Sequence, residues 1–296
     1  MSDEAAADPV ALNQWYAVAA LAEIPHGRVW RTELLGAPIS LCVNGEGEPL
    51  AWLTQDSLPE GAALGAAPVE SPLPVRADFG YAWTTVGDPP GELFDIPETA
   101  EPDRRTFNAG TFGIHTSPPR AVENFLDMGH LPFVHSGLLG EQPFTEIVDY
   151  RVEYQDLEIY AVDCLIFQPM ATAASVSGQM VNYTFRVPHP LCALLYKTTP
   201  TDEARLDVIG LFVHPLRADY IRAHLFNSLL DATNSDGEIR RFQQSVIAQD
   251  KPILENQVPK RLPLDPEAEV PARSDKTSGA YRRWLGELGL TYGVIR

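Results

Sequence analysis

One short stretch of the chain concentrates the side chains that could do chemistry. Residues 123–135, Glu-Asn-Phe-Leu-Asp-Met-Gly-His-Leu-Pro-Phe-Val-His, hold an amide, a carboxylate and two imidazoles in otherwise apolar sequence. Neutral imidazole is a common metal ligand in proteins, which makes His130 and His135 candidates for binding a transition metal. The alternative is a histidine pair that is simply part of the core or surface, and on composition alone this is the more frequent case.

The spacing within this stretch restricts how the two imidazoles can meet. Residues 120 to about 129 are predicted to form a helix. Asp127 and His130 are three residues apart, so on a helix they share a face, with Asn124 one turn earlier. His135 follows His130 by five residues, which is roughly 140° around an ideal helix. An unbroken helix therefore cannot direct both imidazoles at one point. The glycine and the proline between them are expected to loosen the backbone.

A carboxylate that could complete the site lies far downstream. Residues 247–257 read Ile-Ala-Gln-Asp-Lys-Pro-Ile-Leu-Glu-Asn-Gln, with Asp250 as the candidate. Two histidines and one carboxylate form the facial triad that holds non-haem Fe(II) and leaves positions open for dioxygen and substrate. An acid that caps a helix or faces solvent is the alternative for Asp250, and spacing alone does not reject it.

The elements predicted around these residues indicate an α+β fold. Proline-bearing turns separate several β-branched or alternating segments between residues 144 and 230, which favours an antiparallel sheet. The histidines that precede prolines, His189 and His214, are expected in these turns. A long helix disturbed by Pro252 is predicted over 237–257, and a last helix carries an apolar stripe typical of core packing. The predicted strands of this sheet cover 150–154, 159–167, 180–187, 193–198 and 206–213.

The N-terminal third is predicted to be a small β region. Residues 1–11 are expected to fray, and the aperiodic stretch 55–75 is expected to be a loop. The polar, proline-bearing stretch 88–104 is typical of a linker, so the chain is divided into domains over 1–104 and 105–296. Short strands are predicted over 29–31, 39–43, 50–53 and 79–86.

Composition and charge exclude several classes of protein. Hydrophobic residues make up 45% of the 296, and no apolar run approaches the roughly 18 residues that a membrane helix needs. The acidic start lacks the features of a signal peptide, so a cytoplasmic location is expected. A net charge of −18 repels phosphate backbones and argues against a nucleic-acid partner. Cys42, Cys164 and Cys192 form no CxxC pair and are expected to be reduced core thiols.

The two motifs together resemble those of a known family. Asn124-x-x-Asp127-x-x-His130-x-x-x-x-His135, followed by Gln-Asp250-Lys-Pro-Ile-Leu-Glu-x-Gln, is similar to the catalytic subunit of Rieske non-haem iron oxygenases. The resemblance implies that His130, His135 and Asp250 bind Fe(2+). It implies that Asp127 bridges a ligand histidine to the cluster-bearing domain of a neighbouring subunit, and that Asn124 lines the iron pocket.

The same resemblance carries expectations about the fold and the assembly. It implies a helix-grip (START-like) catalytic domain, in which an antiparallel sheet curves around a long C-terminal helix. It also implies a small β remnant of a Rieske domain beside it, and a trimeric or hetero-oligomeric assembly.

The N-terminal region departs from the family in one respect. A Rieske [2Fe-2S] cluster requires two cysteines and two histidines, arranged as CxH and CxxH pairs. Residues 27–114 contain no histidine, and Cys42 is the one cysteine among them. Residues 1–104 are therefore expected to be a degenerate Rieske-like domain without a cluster. Electrons must then come from NAD(P)H through a partner, a Rieske-bearing reductase or oxygenase subunit, with Asp127 as their entry point.

Within the family, the sequence is similar to the cluster-deficient catalytic subunits of the methylxanthine N-demethylases of bacterial caffeine degradation. The likeness includes residues 101–105, 123–135, 206–212 and 280–285. It implies a monooxygenase that hydroxylates the N-methyl carbon of a substrate such as 7-methylxanthine and releases formaldehyde. It also implies that Gln243, seven residues before Asp250, contacts the heterocycle, although a solvated helix glutamine is the alternative.

Two other functions stay open from the sequence. The same iron site could act on an aromatic ring, an O-methyl group or another N-methyl substrate such as a quaternary amine. Alternatively, the chain could be a non-catalytic subunit that binds a hydrophobic ligand.

Overall fold

Two small antiparallel sheets and two short helices are formed by residues 2–84. The computed structural model describes residues 2–65, 69–88, 91–170, 177–199 and 204–296. The helices are α1 (Asp3–Ala6) and α2 (Pro9–Leu12). The strands are β1 (Tyr16–Ala20), β2 (Trp30–Leu34), β3 (Ala37–Val43), β4 (Pro49–Leu53), β5 (Pro72–Leu73), β6 (Val75–Asp78) and β7 (Tyr81–Thr84). One sheet has the order β1-β7-β6 and the other β2-β3-β4-β5.

The four strands predicted in this region overlap β2, β3, β4 and β7, and the one predicted over 79–86 is shorter because Phe79 and Gly80 adopt positive φ. The loop predicted over 55–75 is wrong at its end, where β5 and the start of β6 extend the two sheets. Residues 66–68 of that loop, and residues 89 and 90 of the predicted linker, lie outside the described residues.

The prediction that residues 1–11 fray is wrong for residues 2–11, and residue 1 lies outside the described residues. Ala5 and Ala11 are buried, and the Asp8 carboxylate caps α2 by accepting the Ala11 N–H at 2.9 Å. The second oxygen of Asp8 accepts the backbone N–H groups of Thr291 and Tyr292 at 2.6 and 2.7 Å. A carboxylate with several N–H donors is strongly held, so the first helices are attached to the end of the chain.

A seven-stranded antiparallel sheet follows, in the order β8-β14-β13-β12-β11-β10-β9. The five strands predicted here are confirmed, with boundaries shifted by a few residues. The prediction missed two strands, β14 and β8. β8 is an edge strand with two glycines and an asparagine, which lower its β propensity. The strands are β8 (Arg105–Ile114), β9 (Arg151–Gln155), β10 (Glu158–Gln168), β11 (Gln179–His189), β12 (Cys192–Thr198), β13 (Leu206–Arg217) and β14 (Tyr220–Leu229).

Four helices pack with this sheet. The predicted long helix is confirmed as α5, and Ser235 and Glu238 form a capping box at its start. The helices are α3 (Pro118–Leu126), α4 (Leu131–Val134), α5 (Asp236–Asn256) and α6 (Lys276–Leu288), and a small parallel pair joins β15 (Leu262–Pro263) to β16 (Val294–Ile295). The α+β prediction, with an antiparallel sheet and a long helix, is therefore confirmed.

The N-terminal sheets cover the outer face of the large sheet. Trp83 of β7 packs against Phe212 of β13 with ring centroids 5.0 Å apart, and Phe212 stacks on Phe226 of β14 at 5.3 Å. Because side chains alternate along a strand, the neighbouring residues Leu211, Ile209 and Asn227 point to the opposite face. That face is the one that meets the helices.

The expected place of one histidine is wrong. His214 lies within β13, is fully buried and donates from Nε2 to the Glu33 carbonyl at 2.6 Å. His189 does end β11 at a hairpin, where its Nδ1 accepts the Leu191 N–H at 2.9 Å. Among the residues that the structure describes, every helix is too short or too polar to cross a lipid bilayer.

Candidate metal centre and cavity

The motif of residues 124–135 is divided between two helices. The helix predicted to reach Gly129 ends as α3 at Leu126, because Asp127 adopts an extended conformation. The prediction that Asn124, Asp127 and His130 share one helix face is therefore wrong. His130 and His135 instead flank the single turn of α4. This break allows two imidazoles five residues apart to face each other.

Three candidate ligand atoms converge behind this break. The Nε2 atoms of His130 and His135 are 3.1 Å apart, and the Asp250 Oδ1 atom lies 3.4 and 3.0 Å from them. These three are the group of His, Cys, Asp or Glu side chains in the described residues whose donor atoms cluster tightly enough to hold a metal ion. His135 and Asp250 are buried, whereas His130 is partly exposed.

The outer nitrogen of each imidazole has an acceptor. His130 Nδ1 is 3.1 Å from the Asp127 carboxylate, and His135 Nδ1 is 2.9 Å from Gln249 Oε1. An ionised carboxylate only accepts, so His130 carries its proton on Nδ1; the amide oxygen assigns the same tautomer to His135. Both Nε2 lone pairs then point at each other and at a carboxylate. When both imidazoles are neutral, these three acceptors fit a metal cation, and this donor set is compatible with Fe(II).

Electrostatics at the site also favour a positive charge. Burial lowers the pKa of His130, but the carboxylates of Asp127 and Asp250 outweigh burial and raise the pKa to about 9. In metal-free protein a proton can supply this charge. A bound metal cation would take its place, because ligand imidazoles must be deprotonated.

Helix α5 places Asp250 through contacts along β8. Its outer face donates to three β8 carbonyls, from Arg240 to Asn108 (3.3 Å), from Gln244 to Ala109 (3.1 Å) and from Lys251 to Gly113 (2.6 Å). Its inner face buries Ile239, Gln243, Ile247, Asp250 and Leu254 at helical spacing. The β8 contacts thus set which residues of α5 face the sheet.

An ion network holds α3 in place on the other side. Arg120 and Glu123 of α3 pair at 2.8 Å, and Arg120 also pairs with Glu269 at 2.6 Å. Arg282 of α6 reaches Glu123 at 2.5 Å and also pairs with Glu269. Arg120 is fully buried, and its ion pairs with Glu123 and Glu269 join α3 to the 264–272 segment, which Arg282 links to α6.

The predicted site residues line one cavity of about 130 Å³ between α5 and the large sheet. Gln243 is buried, and its Nε2 donates to Asn227 Oδ1 at 3.2 Å. The solvated-glutamine alternative is therefore wrong for the position of Gln243. Asn124 lies at the same cavity. The structure brings together Asn124, Asp127, His130, His135, Gln243 and Asp250.

Three residues at this site were missed from the sequence. Gln249 was missed although it directly precedes Asp250 in the second motif, where a side chain can reach a neighbouring ligand. Lys197 and Asp207 also line the cavity. The feature of the sequence that could have indicated them is Lys197, which lies inside the apolar strand Cys192–Thr198 in a chain with four lysines.

Two surface grooves reach the site from outside. Both are lined by Asp127 and His130; one continues along β9, and the other along Glu269 and Arg282. The side chain of Asp127 is 31% exposed and that of His135 is 1% exposed. At the candidate metal centre, His135 is therefore shielded from solvent, whereas Asp127 is accessible from the surface.

One family model and several known proteins match this chain. The family model described as "vanillate O-demethylase oxygenase C-terminal domain" matches residues 114–290. The chain is 41% identical to the probable methylxanthine N7-demethylase NdmC of Pseudomonas sp. (strain TJI-51), across 96% of this chain and 97% of that protein. It is 28% identical to the methylxanthine N1-demethylase NdmA of Pseudomonas putida, across 74% and 63% of the two chains.

Solved structures show the same fold. NdmA of Pseudomonas putida CBB5 with caffeine has a TM-score of 0.77 at 18% identity, covering 97% of this chain and 92% of that one. Dicamba monooxygenase bound to 3,6-dichlorosalicylic acid has a TM-score of 0.74 at 19% identity, covering 95% and 98%.

Proposed function

The chain belongs to the Rieske-type oxygenase family of enzymes, and we propose that it is the catalytic subunit of an iron-dependent N-demethylase acting on a methylxanthine such as 7-methylxanthine. The observation that carries the proposal is the convergence of His130, His135 and Asp250 at an apolar cavity. The similarity to a probable methylxanthine N7-demethylase along nearly the whole chain supports the substrate class.

The proposed reaction oxidises an N-methyl carbon. Iron held by His130, His135 and Asp250 would supply the activation of dioxygen that this step needs. One oxygen atom enters the C–H bond, and the other leaves as water with two electrons and two protons. The resulting carbinolamine then loses its C–N bond, which yields the N–H product and formaldehyde.

The side chains around the metal have separable roles in this proposal. Asp127 and Gln249 orient the two imidazoles by accepting their Nδ1–H groups. Apolar side chains from the sheet and α5 keep the cavity poor in water. Asn124 and the Gln243–Asn227 pair offer amide groups to polar atoms of the heterocycle.

Electrons are proposed to come from a separate protein. We take residues 1–104 as a degenerate Rieske-like domain and residues 105–296 as the catalytic domain. With Cys42 as its one cysteine and no histidine between His26 and His115, the first region lacks the ligand pairs of a cluster. A Rieske-bearing partner fed by NAD(P)H would dock where the grooves meet at Asp127. A trimeric or hetero-oligomeric assembly is part of the same proposal, and sedimentation with and without the partner tests it.

Formaldehyde release is the direct test of the proposed function. The iron-loaded protein, a Rieske-bearing reductase and NAD(P)H should release formaldehyde from 7-methylxanthine, whereas Asp250→Ala should bind little iron and release none. Glu255→Ala, a carboxylate elsewhere on α5, serves as the control. Full activity of Asp250→Ala would refute the site, and no formaldehyde from any methylxanthine would refute the substrate class.

An O-methyl substrate is the second candidate, because the matching family model is named for vanillate O-demethylase. A panel that contains 7-methylxanthine, vanillate and a quaternary N-methyl amine, with one electron source, separates the candidates. Turnover of vanillate alone would favour O-demethylation.

A further inference from the structure

Two charged side chains lie in the cavity away from the metal ligands. Lys197 of β12 and Asp207 of β13 both line it, and they are only 6% and 8% exposed. Lysine and aspartate are seldom buried to this extent, because taking a charge out of water is costly. A role in ligand binding would explain why these two charged residues are buried among the apolar residues of the cavity.

The strand register places the two side chains next to each other. Lys197 and Asp207 are direct partners in the antiparallel β12–β13 pair, so their Cβ atoms are about 5 Å apart. Tyr183 is the partner of Lys197 on β11, and it lines the same cavity. Together they form a polar row across three strands.

Helix α5 runs along the cavity, so residue spacing on this helix gives distances within the cavity. Gln243 precedes Asp250 by seven residues, which is about 10 Å at 1.5 Å per residue. Gln243 contacts Asn227 of β14, and Asp207 accepts the N–H of Leu230, three residues further along, at 2.8 Å. Because the chain runs from Leu230 to the start of α5, Asp207 lies beyond Gln243 as seen from Asp250.

The chemistry of the pair is complementary to one kind of ring edge. An ammonium only donates hydrogen bonds and a carboxylate only accepts them, and a carboxylate that already accepts one N–H can accept another. Burial lowers the pKa of Lys197 to about 8, with Asp207 opposing the shift, so the ammonium form predominates at neutral pH. A donor beside an acceptor matches a ring carbonyl beside a ring N–H.

We propose that Lys197 and Asp207 recognise the unmethylated lactam edge of the substrate, with Lys197 donating to a ring carbonyl and Asp207 accepting a ring N–H. This inference rests on the proposed function and adds the basis of its selectivity. An N-methyl group on the six-membered ring would remove the N–H and place a methyl group against a buried carboxylate. The site should therefore favour 7-methylxanthine over 1,3,7-trimethylxanthine (caffeine).

The test compares these two ligands in both turnover and binding. Formaldehyde release gives kcat and KM with the iron-loaded full chain and its electron donor, and calorimetry gives Kd without the donor. Asp207→Asn and Lys197→Gln should each raise the KM and Kd for 7-methylxanthine and narrow its preference over caffeine by about 10- to 100-fold, as for a lost hydrogen bond to a charged group. Lys197→Arg should keep the preference, and Lys260→Gln is the matched control outside the cavity.

The outcomes separate this inference from the proposed function. An unchanged preference in Asp207→Asn and Lys197→Gln overturns the inference even if the wild type demethylates 7-methylxanthine. A wild type that binds 7-methylxanthine selectively but releases no formaldehyde contradicts the proposed function alone. If a single substitution prevents folding, the double substitution Lys197→Gln with Asp207→Asn leaves no unpaired charge and takes its place. A purely structural role would lower Tm and weaken both ligands equally.

Discussion

Substitution of Gln249 should weaken metal binding although Gln249 is not itself a ligand. Its Oε1 lies 2.9 Å from His135 Nδ1, so the proton of this imidazole stays on Nδ1 and its Nε2 lone pair faces the site. In Gln249→Ala that acceptor is lost. The proton can then move to Nε2, where Asp250 Oδ1 lies 3.0 Å away and can accept it. In this tautomer His135 Nε2 carries a proton and cannot bind the metal, and Asp250 Oδ1 accepts a hydrogen bond from it.

The magnitude follows from the burial of the group. His135 is 1% exposed, so water has little access to replace the amide oxygen. A buried N–H left without an acceptor costs about 1–3 kcal/mol. Loss of the group that orients a ligand histidine typically lowers metal affinity about 10- to 100-fold, which agrees with that range. We expect the Fe(II) affinity of Gln249→Ala to fall by this factor.

Anaerobic Fe(II) titration against a competing chelator measures the effect. Gln249→Glu keeps an acceptor at the same place and should retain tight binding. Ser245→Ala removes an exposed hydroxyl of α5 that bonds the Arg241 carbonyl of the same helix, and it controls for a general change in the helix. Equal Fe(II) affinity in wild type and Gln249→Ala, or an equal loss in Ser245→Ala, would refute the role assigned to Gln249.

Three further predictions concern the surroundings of the site. Asp127→Asn should keep its iron, since an amide oxygen can still accept the imidazole proton, but formaldehyde release with the electron donor should fall; an unchanged rate would contradict entry at Asp127. Gly140→Ala should lower Fe(II) affinity by about 10-fold or more, because its Cβ would lie 2.7 Å from the backbone nitrogen of Pro132 and displace α4 between the two histidines. Glu269→Gln should lower the free energy of unfolding by an amount that depends on pH. Arg120 lowers the pKa of Glu269 from 4.5 to about 2, so the difference from wild type should be full above pH 4.5 and lost as pH falls to about 2; urea unfolding at several pH values checks this, and a constant difference would contradict it.

The types of the residues at the candidate metal site were predictable, because their chemistry is visible in the sequence. Two histidines and an acid are the expected donors for Fe(II), whatever the fold. Their convergence was not predictable from local spacing. It depends on the end of α3 at Leu126, which helical periodicity did not indicate, and on the contacts that fix the rotation of α5 along β8. Such long-range contacts have no signature in a short sequence window.

The polar row of the cavity was missed for a related reason. Lys197 and Asp207 lie in strands whose pattern indicated only a sheet, and alternation alone does not say which face lines a cavity. Only the register of β12 with β13 places the two side chains together. The Asp8 contact with Thr291 and Tyr292 was likewise invisible, since it joins the two ends of the chain.

The position of Asp127 relative to the cavity indicates that substrate and electron donor can bind at the same time. The Lys197–Asp207 pair lies beyond Gln243, on the far side of the cavity from Asp250, whereas the two grooves reach Asp127 and His130 from the surface. A donor docked at these grooves would not occupy the place of the bound heterocycle. Substrate should therefore leave the Kd of the donor little changed, and strong competition between the two would show that both use one entrance.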